Sequence, residues 1–136
     1  PSDWLKFRWS DYDGVALQIV QGKSGTELYL PVTAQLKAAL DAAPRKGLTI
    51  VTRAEGQPMG YARMASVMLA ERKRLGLEPY DLHALRYRGV MELAWRGCND
   101  DEIASYSGHA SKAMIRKYAG KARQTMNALR AAEKRR

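Results

Sequence analysis

The chain has a single cysteine, Cys98, among its 136 residues. That excludes an internal disulfide framework and a cysteine-rich zinc site, and it fits a reduced, cytoplasmic setting. No apolar run approaches the length needed to span a bilayer, and the first residues lack the basic-then-apolar pattern of a signal peptide. A soluble, unexported protein without a membrane partner is therefore expected. Internal repeats and low-complexity linkers are absent too. With 46% hydrophobic and 27% charged residues, the composition is neither disordered nor fibrous. A chain of this length makes one domain of ordinary size, able to bury a core without cross-links or metal.

Acidic residues are the scarcer charge, 14 Asp and Glu against 23 Lys and Arg, for a net charge of +9. The imbalance is uneven. Residues 1–80 hold 11 basic and 8 acidic side chains, whereas residues 81–136 hold 12 and 6. A basic excess gathered at one end suits a polyanion such as nucleic acid, with a membrane surface as the weaker match; a solvated basic surface is the bland alternative.

The opening PSDWLKFRWSDYDG reads as the end of a helix running into a turn, with Asp11, Asp13 and Gly14 as turn residues. VALQIVQ and TELYLPV are rich in strand formers and are separated by GKSG, which predicts a β-hairpin over 15–32 with Lys23 at its tip. A lysine in a turn is ordinarily a solvated charge. Thr33 can cap a helix to about Ala43 with Leu36 and Leu40 inward, and LTIVT (48–52) reads as a third short strand. Tyr61–Leu75 has helical periodicity, with Met64, Val67, Met68 and Leu75 inward and Gly76 as its stop. Its methionines are core filler rather than a cofactor box.

The stretch from Asp81 to Gly120 carries the chemistry. Asp81 can cap a helix to about Arg96, with His83 and Arg86 in its first turns. Three residues apart, the two side chains can address one anion, at a helix end whose free N–H groups already attract negative charge. Asn99 and Glu102 make a capping box for a helix over 100–107, which Gly108 ends, and His109 follows. Ser111 can cap a further helix bearing Tyr118, and Gly120 is expected to separate it from a last helix, 121–136, with Ala122, Met126 and Leu129 as apolar face. Singly, each residue has a dull explanation: a surface histidine, a helix cation, a cap, a core aromatic.

Together, the order hairpin lysine, HALR (83–86), SGH (107–109) and the tyrosine of IRKYAG resembles the tyrosine recombinases, the phage integrase family of DNA strand-transfer enzymes; LYLPV (28–32) and WLKFRWSDYDG support the likeness. The resemblance implies an α+β fold, mainly α-helical, with a small antiparallel β-hairpin or three-stranded sheet. It implies one partial catalytic domain over 1–136: hairpin 15–32, helical core 33–120, C-terminal helix 121–136. It further implies site-specific DNA recombination without cofactor or metal, through a 3′-phosphotyrosine intermediate, by a bacterial or phage-encoded, DNA-associated protein. Tyr118 would be the nucleophile, Arg86 a phosphate clamp, and Lys23 the acid that reaches the leaving 5′-oxygen. His83 and His109 would donate hydrogen bonds or assist proton transfer, in an order the sequence leaves open. Double-stranded DNA is the implied partner, and the last helix either packs on its own domain or docks into a second copy.

The sequence departs from the family at one point. The family's first arginine lies three residues before an acidic residue that matches Asp3, which puts it immediately ahead of Pro1, and Arg8 is out of register to replace it. Little strand cleavage is therefore expected of residues 1–136 alone. The main rival reading is a non-catalytic helix-turn-helix DNA binder built on DEIASYSGHASKAMIRKY, with Lys112, Arg116 and Lys117 on DNA. An RNA-binding reading lacks an aromatic signature. A zinc site from His83 and His109 lacks further ligands at a recognised spacing.

Overall fold

The computed structural model of the protein describes residues 3–108 and 111–135. The backbone divides into two compact units, Pro1–Tyr80 and Asp81–Arg136.

In the first unit, two short 3₁₀ turns, Asp3–Lys6 and Trp9–Asp11, stand where the end of a helix was expected. Aspartates explain the irregularity. The Asp11 carboxylate accepts from the Arg8 N–H at 2.8 Å, and Asp13 Oδ1 accepts from the Val15 and Ala16 N–H groups at 2.9 and 2.8 Å. Side chains that bond the nearby backbone compete with a regular helix. The chain then enters strand β1 (Ala16–Val20), which pairs antiparallel with β2 (Glu27–Pro31) from Ala16 opposite Pro31 to Val20 opposite Glu27. The connection is hydrogen-bonded across itself, with Gln21 N–H to Thr26 C=O at 2.9 Å and Gly25 N–H to Gln21 C=O at 2.9 Å. Gly25 has φ +66°, the left-handed conformation such a turn needs.

Helix α1 (Ala34–Ala42) starts as expected, with the Thr33 side chain accepting from the Leu36 N–H, yet only Leu40 of its apolar residues is buried. Leu40 joins Tyr12 and Leu17 in a small core flanked by Phe7, Trp9, Ile19, Leu30, Val32 and Ile50. Residues 48–52 do not extend the sheet, so of the two forms of β-structure expected the hairpin is the one present among the described residues. The segment instead makes isolated bridges, Thr49 with Arg8 and Thr52 with Pro58. Its neighbour is the irregular chain around Phe7 to Trp9, which offers only Phe7 C=O to Ile50 N–H, with Trp9 N–H donating to Leu48 C=O, and no ladder. Helix α2 (Tyr61–Arg74) ends ahead of Gly76, at φ +68°. It buries Met64, whereas Val67 and Leu75, expected inward, are exposed.

The second unit is three helices on one core: α3 (Leu82–Trp95), α4 (Asp100–Ser107) and α5 (Lys112–Lys134). Val90 and Ala94 of α3, Ile103 of α4, and Ile115, Ala119 and Ala122 of α5 are buried together. The starts follow the sequence. The Asp81 side chain accepts from the Ala84 N–H, and Asn99 and Glu102 close a reciprocal capping box. Gly108 ends α4 at φ +67°. Where α4 meets α5, Asp100 accepts from Arg123 and lies 3.8 Å from Arg116, while Lys112 pairs with Asp101 at 2.9 Å. The hydrogen bond from Arg123 holds the Asp100 carboxyl below the usual carboxylate range.

The break expected at Gly120 does not occur, and α5 continues to Lys134. Glycine inside a helix costs about 1 kcal/mol relative to alanine. Burial of Ile115, Ala119 and Ala122 on a single stripe across that position outweighs it. Helix continuity thus follows from packing rather than local propensity. Of the apolar face expected beyond, Ala122 is buried, Met126 half-buried and Leu129 exposed. A Cβ built on Gly120 meets no atom within 4 Å. Gly120→Ala should accordingly raise stability by about 0.5–1 kcal/mol in urea unfolding; a loss would contradict a regular, unobstructed helix there.

Candidate active site

All the described residues brought together belong to the second unit, and α3 supplies most of them. Its amino-terminal end carries His83 and Arg86, both exposed. Arg86 reaches across to the end of α4, where its Nη2 donates to the Ser107 carbonyl at 3.3 Å. That contact ties the proposed clamp to the carboxyl end of a helix, where a cation is favoured by the helix dipole. Ser107 is itself fixed by its hydroxyl, which donates to the Ile103 carbonyl at 2.6 Å.

Tyr118 lies in the second turn of α5, half-buried, packed against the core beside Ala119. Its ring meets Tyr87 of α3 edge-on, with centroids 4.1 Å apart and planes at 69°. Tyr87 in turn meets His83 at 4.8 Å and 85°. Tyr118 is held above the ordinary phenol range, first by a hydrogen bond to the Tyr87 side chain, then by burial and by the charge of Tyr87, while the Arg86 guanidinium acts in the opposite direction. A phenol in this setting is neutral at neutral pH. It can attack only when its proton is taken as the bond to phosphorus forms, and a cation that stabilises the phenolate is already nearby.

Of the five residues singled out from the sequence, Arg86, His83 and Tyr118 are thus gathered on α3 and α5. Lys23 lies in the other unit, exposed in the β1–β2 turn. His109 lies outside the described residues. Among the described residues, no group of His, Cys, Asp and Glu is placed to hold a metal ion, and no helix is long and apolar enough to cross a membrane. Sequence reasoning passed over Tyr87 as one of several tyrosines. The available signal was its place four residues after His83 and on the stripe that continues to Val90 and Ala94, which aims its ring toward α5.

The fold is that of a tyrosine recombinase. The crystal structure of XerA recombinase matches 95% of this chain with a TM-score of 0.78 at 15% sequence identity, and 52% of the XerA chain is covered, so the chain spans about half the length of that protein. No curated protein matches the chain. Residues 1–125 match the Phage integrase family model, and the chain belongs to that family.

Proposed function

We propose that the chain carries the strand-transfer site of a site-specific DNA recombinase. The observation that supports this most is that the helix bearing Tyr118 packs on the helix bearing Arg86, closely enough for the guanidinium charge to act on the phenol. In the proposed reaction the Tyr118 oxygen attacks the scissile phosphorus as its proton leaves to a base, forming a 3′-phosphotyrosine. The bond to the 5′-oxygen breaks, and that oxygen departs as a hydroxyl after taking a proton. The 5′-hydroxyl of a partner duplex then attacks the phosphotyrosine, restoring the diester and the free phenol. Arg86 offers its planar fork to the non-bridging oxygens, where charge accumulates in the transition state. His83 and His109 serve as hydrogen-bond donors or proton carriers, and Lys23 as acid to the 5′-oxygen. Double-stranded DNA is the proposed partner, which suits the basic excess of residues 81–136.

The test uses the chain extended on its amino-terminal side to supply the family's first arginine, and a nicked cognate duplex that traps the intermediate. A covalent protein–DNA adduct is expected. Intact binding with no adduct on any cognate duplex would favour the helix-turn-helix reading instead. The cations of that reading are partly engaged inside the protein, Lys112 on Asp101 and Arg116 near Asp100.

The end of α5 is proposed to dock on a second copy when DNA is bound. Leu129 is 58% exposed on a helix whose earlier turns are buried. Light scattering of the DNA complex across a concentration series should give a mass above one copy per binding site, lowered by Leu129→Glu. A strict monomer at high concentration would contradict docking.

A further inference from the structure

Tyr87 is fixed by the same stripe of α3 that builds the core, three residues before buried Val90 and seven before buried Ala94. A phenylalanine would fill that stripe as well, so packing alone does not call for the hydroxyl. The ring stands between His83 and Tyr118, edge to face with both, at centroid distances of 4.8 and 4.1 Å. Such pairs are favourable beyond the area they bury and have a preferred angle, so each ring limits the rotation of the next. We propose that Tyr87 is a positioning residue, which holds the Tyr118 ring on α3 and keeps its hydroxyl engaged until a phosphate displaces it. The inference rests on the reading of Tyr118 as nucleophile.

The groups of α3 that face Tyr118 are Tyr87, Arg86 and, through Tyr87, His83; α4 meets the same place with the Ser107 carbonyl that Arg86 holds. Tyr87 and Arg86 oppose one another. The hydrogen bond to Tyr87 favours the protonated phenol, and the guanidinium favours the phenolate. A phosphate that drew Tyr118 off Tyr87 would therefore leave the activating influence and remove the restraining one.

Two variants separate orientation from acidity. Tyr87→Phe keeps the ring and removes the hydroxyl, whereas Tyr87→Leu removes both and keeps an apolar side chain on the stripe. Carbon-13 NMR of ring-labelled tyrosine on the 136-residue chain, with Tyr118→Phe identifying the signal, should show the Tyr118 titration midpoint falling in Tyr87→Phe. In the extended chain, the pH profile of adduct formation on a nicked cognate duplex should move to lower pH in Tyr87→Phe. In Tyr87→Leu the rate should drop about 10- to 100-fold, as expected when a reacting atom is held loosely. A packing role alone would leave midpoint and profile where they are in Tyr87→Phe, and that result overturns the inference even where Tyr118-dependent adducts form. A fallen midpoint with no adduct in any protein, wild type included, would uphold Tyr87 as the partner of Tyr118 and sink the nucleophile reading instead.

Discussion

Tyr118→Phe should abolish the covalent protein–DNA adduct while leaving DNA binding within a few-fold of wild type. The substitution removes one oxygen. The ring keeps its place against the α3–α5 core and its edge-on contact with Tyr87, so the fold has no reason to change. No neighbouring group can take over in place, since a nucleophile must approach in line with the leaving oxygen at near-contact distance. Loss of the attacking atom of a covalent mechanism reduces the rate to background rather than by a fraction. An adduct that survives Tyr118→Phe would mean that another tyrosine attacks; an adduct lost together with binding and with the unfolding transition would mean that the residue matters for structure.

Arg86→Ala should slow adduct formation by on the order of 10²- to 10³-fold, the usual effect of removing one preorganised donor to a developing oxyanion. Two contributions combine. The guanidinium faces the site where phosphate charge must be stabilised, and it lowers the proton affinity of Tyr118 against the pull of Tyr87. Arg86→Lys should recover only part of the loss, because a point charge cannot reproduce two parallel hydrogen bonds to phosphate or the reach to the Ser107 carbonyl. Equilibrium binding should weaken far less than the rate. Equal losses in the two would assign Arg86 to ground-state binding and count against a transition-state role.

What could be read from the residues were the features fixed by local chemistry. Asp81 and the Asn99–Glu102 pair start their helices because their side chains satisfy free N–H groups a few residues on, and Gly108 stops α4 because it adopts a left-handed conformation without strain. The hairpin register followed from two β-rich runs around GKSG. What escaped was set by tertiary packing. Gly120 carries the local signature of a helix end, yet the stripe Ile115, Ala119, Ala122 continues through it on the surface of α3. Residues 48–52 have strand composition, but their neighbour is a pair of 3₁₀ turns with no ladder to offer. Helix α2 has more apolar residues than its unit buries, so its periodicity overstated the inward face. At the site, spacing brought out Arg86 and Tyr118. It could not bring out Tyr87, whose role exists only once α3 and α5 are side by side.

Continuity of α5 also changes how Tyr118 is held. The residue sits inside a 23-residue helix instead of near the end of a short one. The proposed nucleophile and the terminal turns proposed to meet a second copy are parts of one rigid element, so a displacement at either end is felt at the other.

The most direct measurement of the central claim is the position of the DNA on the protein. The extended chain, trapped on a nicked cognate duplex, is digested with protease and nuclease, and the nucleotide-bearing peptide is sequenced by mass spectrometry. A 3′-phosphoryl nucleotide on Tyr118 is the expected result. A nucleotide on Tyr87, Tyr106 or any other residue, or no adduct from protein that binds the duplex, would contradict it.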